Sequence, residues 1–242
     1  MGAFDRIKPI LGEDNLAVLA RSHVAVFGVG GVGGFAAEAL ARSGVGKITV
    51  FDADTVSETN LNRQIIATRD SIGMDKVEEI RRRLVSINPE LEIYCEKVFY
   101  LPENSKNYPL DIYDYVIDAV DTVTAKIEII ARSAEKGVPV ISCMGTGGKT
   151  DPTLLKVGYI EETSVCPLAR VMRRELKKRN IFHVKVVYSE EKPSETYKNA
   201  ETAEMKGGHA APSSMIFVPA AAGLIAAGEA VFDILKNKGV IR

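Results

Sequence analysis

Val24-Ala25-Val26-Phe27, followed without a break by Gly28-Val29-Gly30-Gly31-Val32-Gly33, is the stretch on which the fold turns. The apolar, β-branched run is that of a buried strand, and the glycines open an alanine-rich helix from Phe35 to Arg42. Strand, glycine turn and helix in this order form the setting of a nucleotide phosphate loop. Small residues let the backbone turn tightly and approach phosphate oxygens, while the helix N-terminus offers free N–H groups and a positive dipole end. Lys47 to Phe51 reads as the next strand, and Asp52 closes it. A carboxylate at that tip can accept hydrogen bonds from both hydroxyls of a ribose. Gly28, Gly30, Gly31, Gly33 and Asp52 are therefore the first nucleotide-binding candidates.

Working outward, apolar strands alternate with amphipathic helices. Met74 to Ile87 has helical spacing and leads to a strand over Leu91 to Cys95. Tyr115 to Asp118 is a short buried strand, Thr124 to Lys136 the following helix, and Val140 to Ser142 the next strand. This alternation predicts an α/β fold with a doubly wound, mainly parallel Rossmann-like sheet over residues 1–150. The pattern then changes. Residues 151–242 form a C-terminal β/α elaboration of the same domain, with strands over Leu154–Ile160 and Phe182–Tyr188 and a basic helix over Pro167–Arg179. The polar stretch Ser189–Ser214 reads as a mobile loop, Ser214–Val218 as a last strand and Pro219–Lys236 as a last helix.

Composition narrows the class. The 242 residues can bury a substantial core without disulfides or metals. A formal net charge of −1 leaves any polyanion site to a local patch. Cys95, Cys143 and Cys166 are too few and too scattered for a disulfide framework or a four-cysteine zinc site. No stretch reads as a membrane span, and Met1–Ile10 lacks the apolar run of a signal peptide, so the expected location is cytoplasmic.

The polar residues after the glycine loop point to phosphate chemistry. Arg63, in Asn60-Leu61-Asn62-Arg63-Gln64, can stabilise charge that builds as a phosphate bond breaks, each such contact contributing about 1.5–3 kcal/mol. Lys76 opens the next helix after Gly73, from where its ammonium can reach back to the same phosphates. Asp118 and Asp121 follow the strand Tyr115–Ile117, at the strand ends where open sheets bind ligands. Asp121 is the candidate magnesium ligand, since magnesium takes carboxylate and phosphate oxygens together. Asp118 either faces the nucleotide or orients the backbone and caps the helix near Thr122. Cys143, at a strand end before Met144-Gly145, either faces the active site or is a buried, inert thiol, and His183 reads as structural or surface.

Together Gly28-x-Gly30-Gly31-x-Gly33, Asp52-x-Asp54, Asn60-x-x-Arg63-Gln64, Gly73-x-x-Lys76 and Asp118-x-x-Asp121 resemble the E1-like ThiF/MoeB/HesA adenylating family, from about Phe4 to Ile141. The resemblance implies a homodimer that activates a carboxylate with ATP and Mg2+. It also implies that Asp52 and its neighbours Asp54, Asn60 and Gln64 hold the nucleotide, that Arg63 and Lys76 handle the phosphates, and that Asp121 serves the metal. Arg6 matches an arginine that reaches the neighbouring subunit's site in relatives. A structural Na+ or K+ ion is a further cofactor expectation. Gly147-Gly148-Lys149-Thr150-Asp151-Pro152-Thr153, Cys166-Pro167-Leu168-Ala169 and Val187-Tyr188-Ser189-Glu190 resemble the bacterial tRNA threonylcarbamoyladenosine dehydratase branch. That branch uses ATP to activate a threonyl carboxylate on tRNA and closes a hydantoin ring.

One feature favours tRNA independently. Arg170, Arg173, Arg174, Lys177 and Lys178 recur at three- and four-residue spacings, so several share one helix face that tRNA phosphates would select. The other reading of this stripe is an ordinary solvated helix face. Two further classes stay open. An adenylyltransferase for a sulfur-carrier or ubiquitin-like protein would share the fold, although the chain has no CxxC pair. A nicotinamide-dependent oxidoreductase is compatible with the glycines and Asp52 alone, but has no use for the Arg63, Lys76 and Asp121 set. Ala210-Ala211-Pro212-Ser213-Ser214 contains no cysteine, which counts against a sulfur-transfer partner.

Overall fold

A computed structural model describes residues 2–192 and 213–238. Seven strands form one sheet: β1 (His23–Phe27), β2 (Lys47–Phe51), β3 (Glu92–Glu96), β4 (Tyr115–Asp118), β5 (Val140–Cys143), β6 (Leu155–Tyr159) and β7 (Lys185–Ser189). The spatial order is β3-β2-β1-β4-β5-β7-β6, parallel throughout except for the antiparallel pair β6–β7. The chain leaves β1 toward β2 and β3 on one side and returns to β4 and β5 on the other. The switch point therefore lies between β1 and β4, where a crevice opens beyond the carboxyl ends of the strands.

Helices α1 (Lys8–Leu11), α2 (Glu13–Arg21), α3 (Gly33–Arg42), α4 (Lys76–Ile87), α5 (Val123–Lys136), α6 (Pro167–Lys178) and α7 (Phe217–Asn237) accompany the sheet. The central strands read as continuous apolar runs because both their faces are covered: β4 is buried throughout and β1 from Val24 onward. One face packs Ile48, Ile117, Leu40, Ile80 and Ile234 into a core beneath α3, α4 and α7. The other packs Phe27, Phe51, Tyr100, Leu110 and Ile129, with the Phe27 and Phe51 rings stacked at a centroid distance of 4.2 Å. A third cluster, including Met144, Met172, Leu176 and Val186, seats α6 against the C-terminal strands.

Two expectations need correction. Ser214–Val218 is not a strand. Phe217 already opens α7, and Pro219 sits in the first helical turn, where its missing N–H costs nothing and alanines follow. The strand expected from Phe182 starts only at Lys185, because Asn180 and His183 both take left-handed backbone with φ of 56°. His183 is at the surface, beside the Tyr159 ring. Helix α7 is long and apolar enough to cross a membrane by length and hydropathy. It is instead a core helix, packed on α3 and β5 with Ala226, Ala230 and Ile234 buried. Most of the stretch expected to be a mobile loop, residues 193–212 with His209, lies outside the described residues.

Candidate functional site

A cavity of about 770 Å³ runs across the carboxyl ends of β2, β1, β4 and β5. Gly28 is the hinge of its floor. Its φ is +81°, and a methyl group there would stand 2.9 Å from the Ala119 carbonyl oxygen. Gly33 is needed one level deeper, where a side chain would overlap the Gly28 carbonyl, so Gly33 shapes the loop without lining the cavity. Gly30 and Gly31 do line it.

Asp52, at the end of β2, ties the glycine loop to the segment that follows β2. Its carboxylate accepts from the Val29 N–H at 2.8 Å and the Asp54 N–H at 2.9 Å while facing the cavity. Burial raises its pKa above the usual aspartate value, against the opposing pull of Lys76 and the two N–H groups. Lys76 is buried at the start of α4, and its Nζ lies 2.7 Å from Asp54 Oδ2 in the cavity wall. Arg63 lines the same wall, its guanidinium steadied by the Thr59 carbonyl at 2.9 Å and Asn62 Oδ1 at 3.0 Å. Gln64 is buried beside Gly30, and among the described residues its Oε1 has no hydrogen-bond partner. Asn60 does not reach the cavity: its Oδ1 accepts from the Ser57 N–H and closes the turn that carries Arg63. Arg6 is exposed and lies outside this chain's own cavity wall.

The two aspartates after β4 part company. Asp121 is exposed and lines the cavity. Asp118 does not face it, correcting one of the two roles considered. It is fully buried, accepting from Lys126 Nζ at 3.0 and 3.1 Å, from Ser142 Oγ at 2.6 Å and from the Val120 N–H at 3.2 Å. Lys126, also fully buried, donates in addition to the Val120 carbonyl at 2.9 Å. The pair thus binds both the N–H and the carbonyl of Val120 and fixes the turn that presents Asp121. Only the position of Lys126 on a helix face shared with Ile129, Ile130 and Ser133 hinted at this burial.

No group of three or more His, Cys, Asp or Glu side chains gathers for a metal among the described residues. Asp52 and Asp54 are occupied as described, whereas the exposed Asp121 accepts only from the Thr122 hydroxyl at 3.3 Å among the described residues. A lone carboxylate suits magnesium shared with substrate phosphates rather than an all-protein cage.

Residues not anticipated also line the cavity. Val98, Phe99 and Tyr100 extend the wall past β2, and Gly145, Thr146, Gly147 and Lys149 extend it past β5. Cys166 reaches the wall as well, and so does Cys143, in line with the first of its two readings. Burial pushes the Cys143 thiol up to about 12, in keeping with an inert group.

The basic helix α6 is less uniformly available than its spacing suggests. Arg173 turns back onto the Thr163 carbonyl and hydroxyl, while Arg174, Lys178 and Arg179 gather around Glu175. Together they draw the Glu175 carboxyl down to about 2. Arg170 and Lys177, two turns apart on one face, are exposed and make no ion pair among the described residues.

Fold and cavity together define the class: an E1-like α/β protein with a nucleotide site at the switch point of its sheet. The chain belongs to the ThiF family, whose model matches residues 5–239. It is 42% identical over 241 residues to a Bacillus subtilis protein named tRNA threonylcarbamoyladenosine dehydratase, covering 97% of this chain and 95% of that one. The Escherichia coli protein of the same name is 43% identical over 168 residues, or 69% of this chain and 63% of that one. The crystal structure of the E. coli enzyme, TcdA, in complex with ATP superposes with a TM-score of 0.88 at 34% identity, covering 98% of this chain and 95% of that one.

Proposed function

We propose that this chain is an ATP-dependent dehydratase that activates the threonyl carboxylate of threonylcarbamoyladenosine in tRNA and closes it to a hydantoin. The observation that carries this reading is similarity over nearly the whole chain to proteins named for that activity, one of them solved with ATP bound. The cavity suits the chemistry. A carboxylate oxygen attacks a phosphorus of ATP, and pyrophosphate or ADP leaves. The carbamoyl nitrogen then attacks the acyl carbon, the acyl C–O bond to phosphate breaks, and the nitrogen gives up its proton. The displaced oxygen departs in AMP or phosphate, so the nucleoside ends one water lighter.

Such a reaction needs activation and positioning, with no obligatory enzyme nucleophile, which agrees with the inert Cys143. Asp52 holds the ribose, the N–H groups of the glycine loop receive the phosphates, and Arg63 and Lys76 offset charge as the phosphoanhydride breaks. Asp121 would hold a magnesium ion together with phosphate oxygens, and bound there the ion would neutralise part of the triphosphate charge. Keeping the nitrogen close to the activated carbon makes ring closure intramolecular, and orientation of that kind can supply about 7–11 kcal/mol of the barrier.

Arg170 and Lys177 on α6 are the groups offered to tRNA phosphates. A second copy of the chain covers α7, where Phe217, Leu224 and Phe232 stand more than half exposed, at 55%, 53% and 54%. In that homodimer Arg6 serves the neighbour's ATP. A tRNA substrate places the work in the cytoplasm. The test is to incubate the protein with ATP, magnesium and tRNA bearing threonylcarbamoyladenosine, then weigh the nucleosides by mass spectrometry. ATP-dependent loss of one water, abolished by Arg63→Ala, is the expected result. An unchanged nucleoside, with pyrophosphate released only when a carrier protein ending in Gly-Gly is added, would move the chain to the sulfur-carrier class.

A further inference from the structure

We infer that Lys149 contacts the substrate, its ammonium holding the carboxylate that ATP activates. The order of the strands gives the first half of the argument. The ribose carboxylate Asp52 ends β2, the phosphate loop follows β1, and Asp121 follows β4. The nucleotide therefore runs along the row β2-β1-β4, and the next strand in the row is β5. Neighbouring strands lie about 4.8 Å apart, so a carboxylate meeting the phosphates over β4 comes within side-chain reach of the loop after β5. That loop, Gly145 to Lys149, lines the cavity.

The second half lies in the surroundings of the lysine itself. Lys149 is only 3% exposed, yet it opens onto the cavity. Its Nζ donates to the Ser189 carbonyl at 3.0 Å, and among the described residues that is its one hydrogen bond. An ammonium has three donors, so two have no partner among the described residues. No carboxylate among the described residues pairs with it. The nearest candidate, Glu191, is occupied with the Thr150 N–H at 2.9 Å, the Asp151 N–H at 3.0 Å and the Thr150 hydroxyl at 3.1 Å. A buried cation without its own anion is costly, and a site built this way fits an anion that arrives with the ligand. The phosphates already have the glycine loop, Arg63 and Lys76 on the far side, so the anion left for Lys149 is the carboxylate. Burial draws the ammonium below the ordinary lysine value, against the raising influence of Cys166 and Glu191.

This inference rests on the proposed dehydratase reading, and the experiment separates the two. The probes are an anticodon stem-loop bearing threonylcarbamoyladenosine and the same stem-loop with its threonyl carboxylate methyl-esterified, both titrated in the presence of a non-hydrolysable ATP analogue. The wild type should prefer the free acid by about tenfold or more; Lys149→Gln should cut that preference to about threefold or less, Lys149→Arg should keep it, and all three should bind the analogue within about twofold of one another. A merely structural lysine would leave the acid-to-ester ratio unchanged. Lys149→Gln retains a hydrogen-bonding group for Ser189, and thermal midpoints of both variants check the fold. If the wild type dehydrates the modified tRNA but Lys149→Gln keeps the full preference for the acid, the assignment of Lys149 is wrong. If the wild type neither dehydrates it nor distinguishes acid from ester, both readings fall.

Discussion

Replacing Lys126 by methionine removes the cation that keeps Asp118 tolerable inside the protein. Both residues are fully buried, and the loss takes away hydrogen bonds of 3.0 and 3.1 Å to the carboxylate and 2.9 Å to the Val120 carbonyl. Asp118 would keep only Ser142 Oγ and the Val120 N–H. Breaking a buried pair from one side costs about 3–5 kcal/mol, because a charge is left without compensation. For a chain of 242 residues that lowers Tm by roughly 6–20 °C. Lys126→Met/Asp118→Asn should recover much of the loss, since the stranded charge has gone and an amide can still bond Ser142. Thermal and urea unfolding of the wild type, both single variants and the double variant measure the coupling directly. Because the pair anchors the turn that carries Asp121, isothermal titration should also show weaker binding of magnesium–ATP to Lys126→Met. A Lys126→Met variant within about 1 kcal/mol of wild type, or a double variant as unstable as the sum of the singles, would refute the reasoning.

Other consequences can be checked separately. Asp52 has a raised pKa, so acidification protonates it earlier than an ordinary aspartate, and a protonated carboxyl is a poorer acceptor for two ribose hydroxyls. ATP affinity measured from pH 7.5 downward should therefore fall at a pH above the usual aspartate range; Asp52→Asn should bind about tenfold or more weakly and lose that pH dependence. Arg170→Ala and Lys177→Ala should each reduce the salt slope of tRNA binding by about one, whereas Arg173→Ala, whose guanidinium is engaged with Thr163, should lower thermal stability instead. Mixing an Arg6→Ala chain with an Arg63→Ala chain should restore part of the activity that each lacks alone, and no recovery would remove support for an arginine acting across a dimer.

Much of the architecture was legible because burial on both faces leaves a simple mark. Val24–Phe27, Lys47–Phe51 and Tyr115–Asp118 are short apolar runs that end in glycine or aspartate, and each became a strand that delivers a site residue. Periodicity distinguished less well at Ser214–Val218, where five residues read equally as strand or helix start and the alanines after Pro219 decided the outcome. Within the candidate site, Asp52, Arg63, Lys76 and Asp121, singled out by residue type and spacing, all line one cavity. Those missed depend on long-range neighbours. Nothing local marks Lys126 as the partner of Asp118, or Lys149 as a buried cation with no carboxylate partner among the described residues. Asn60 and Arg173 carried the expected residue types, but their polar atoms are already committed to Ser57 and Thr163.

The most direct test follows an oxygen atom. Threonylcarbamoyladenosine in tRNA would be prepared with its threonyl carboxylate enriched in heavy oxygen, and AMP and phosphate from the reaction weighed alongside the nucleoside. Activation of that carboxylate by ATP predicts one heavy oxygen transferred to AMP or to phosphate for each ring closed, with the product nucleoside retaining the other. Heavy oxygen found wholly in water or still wholly in the nucleoside, while ATP is consumed, would contradict the account.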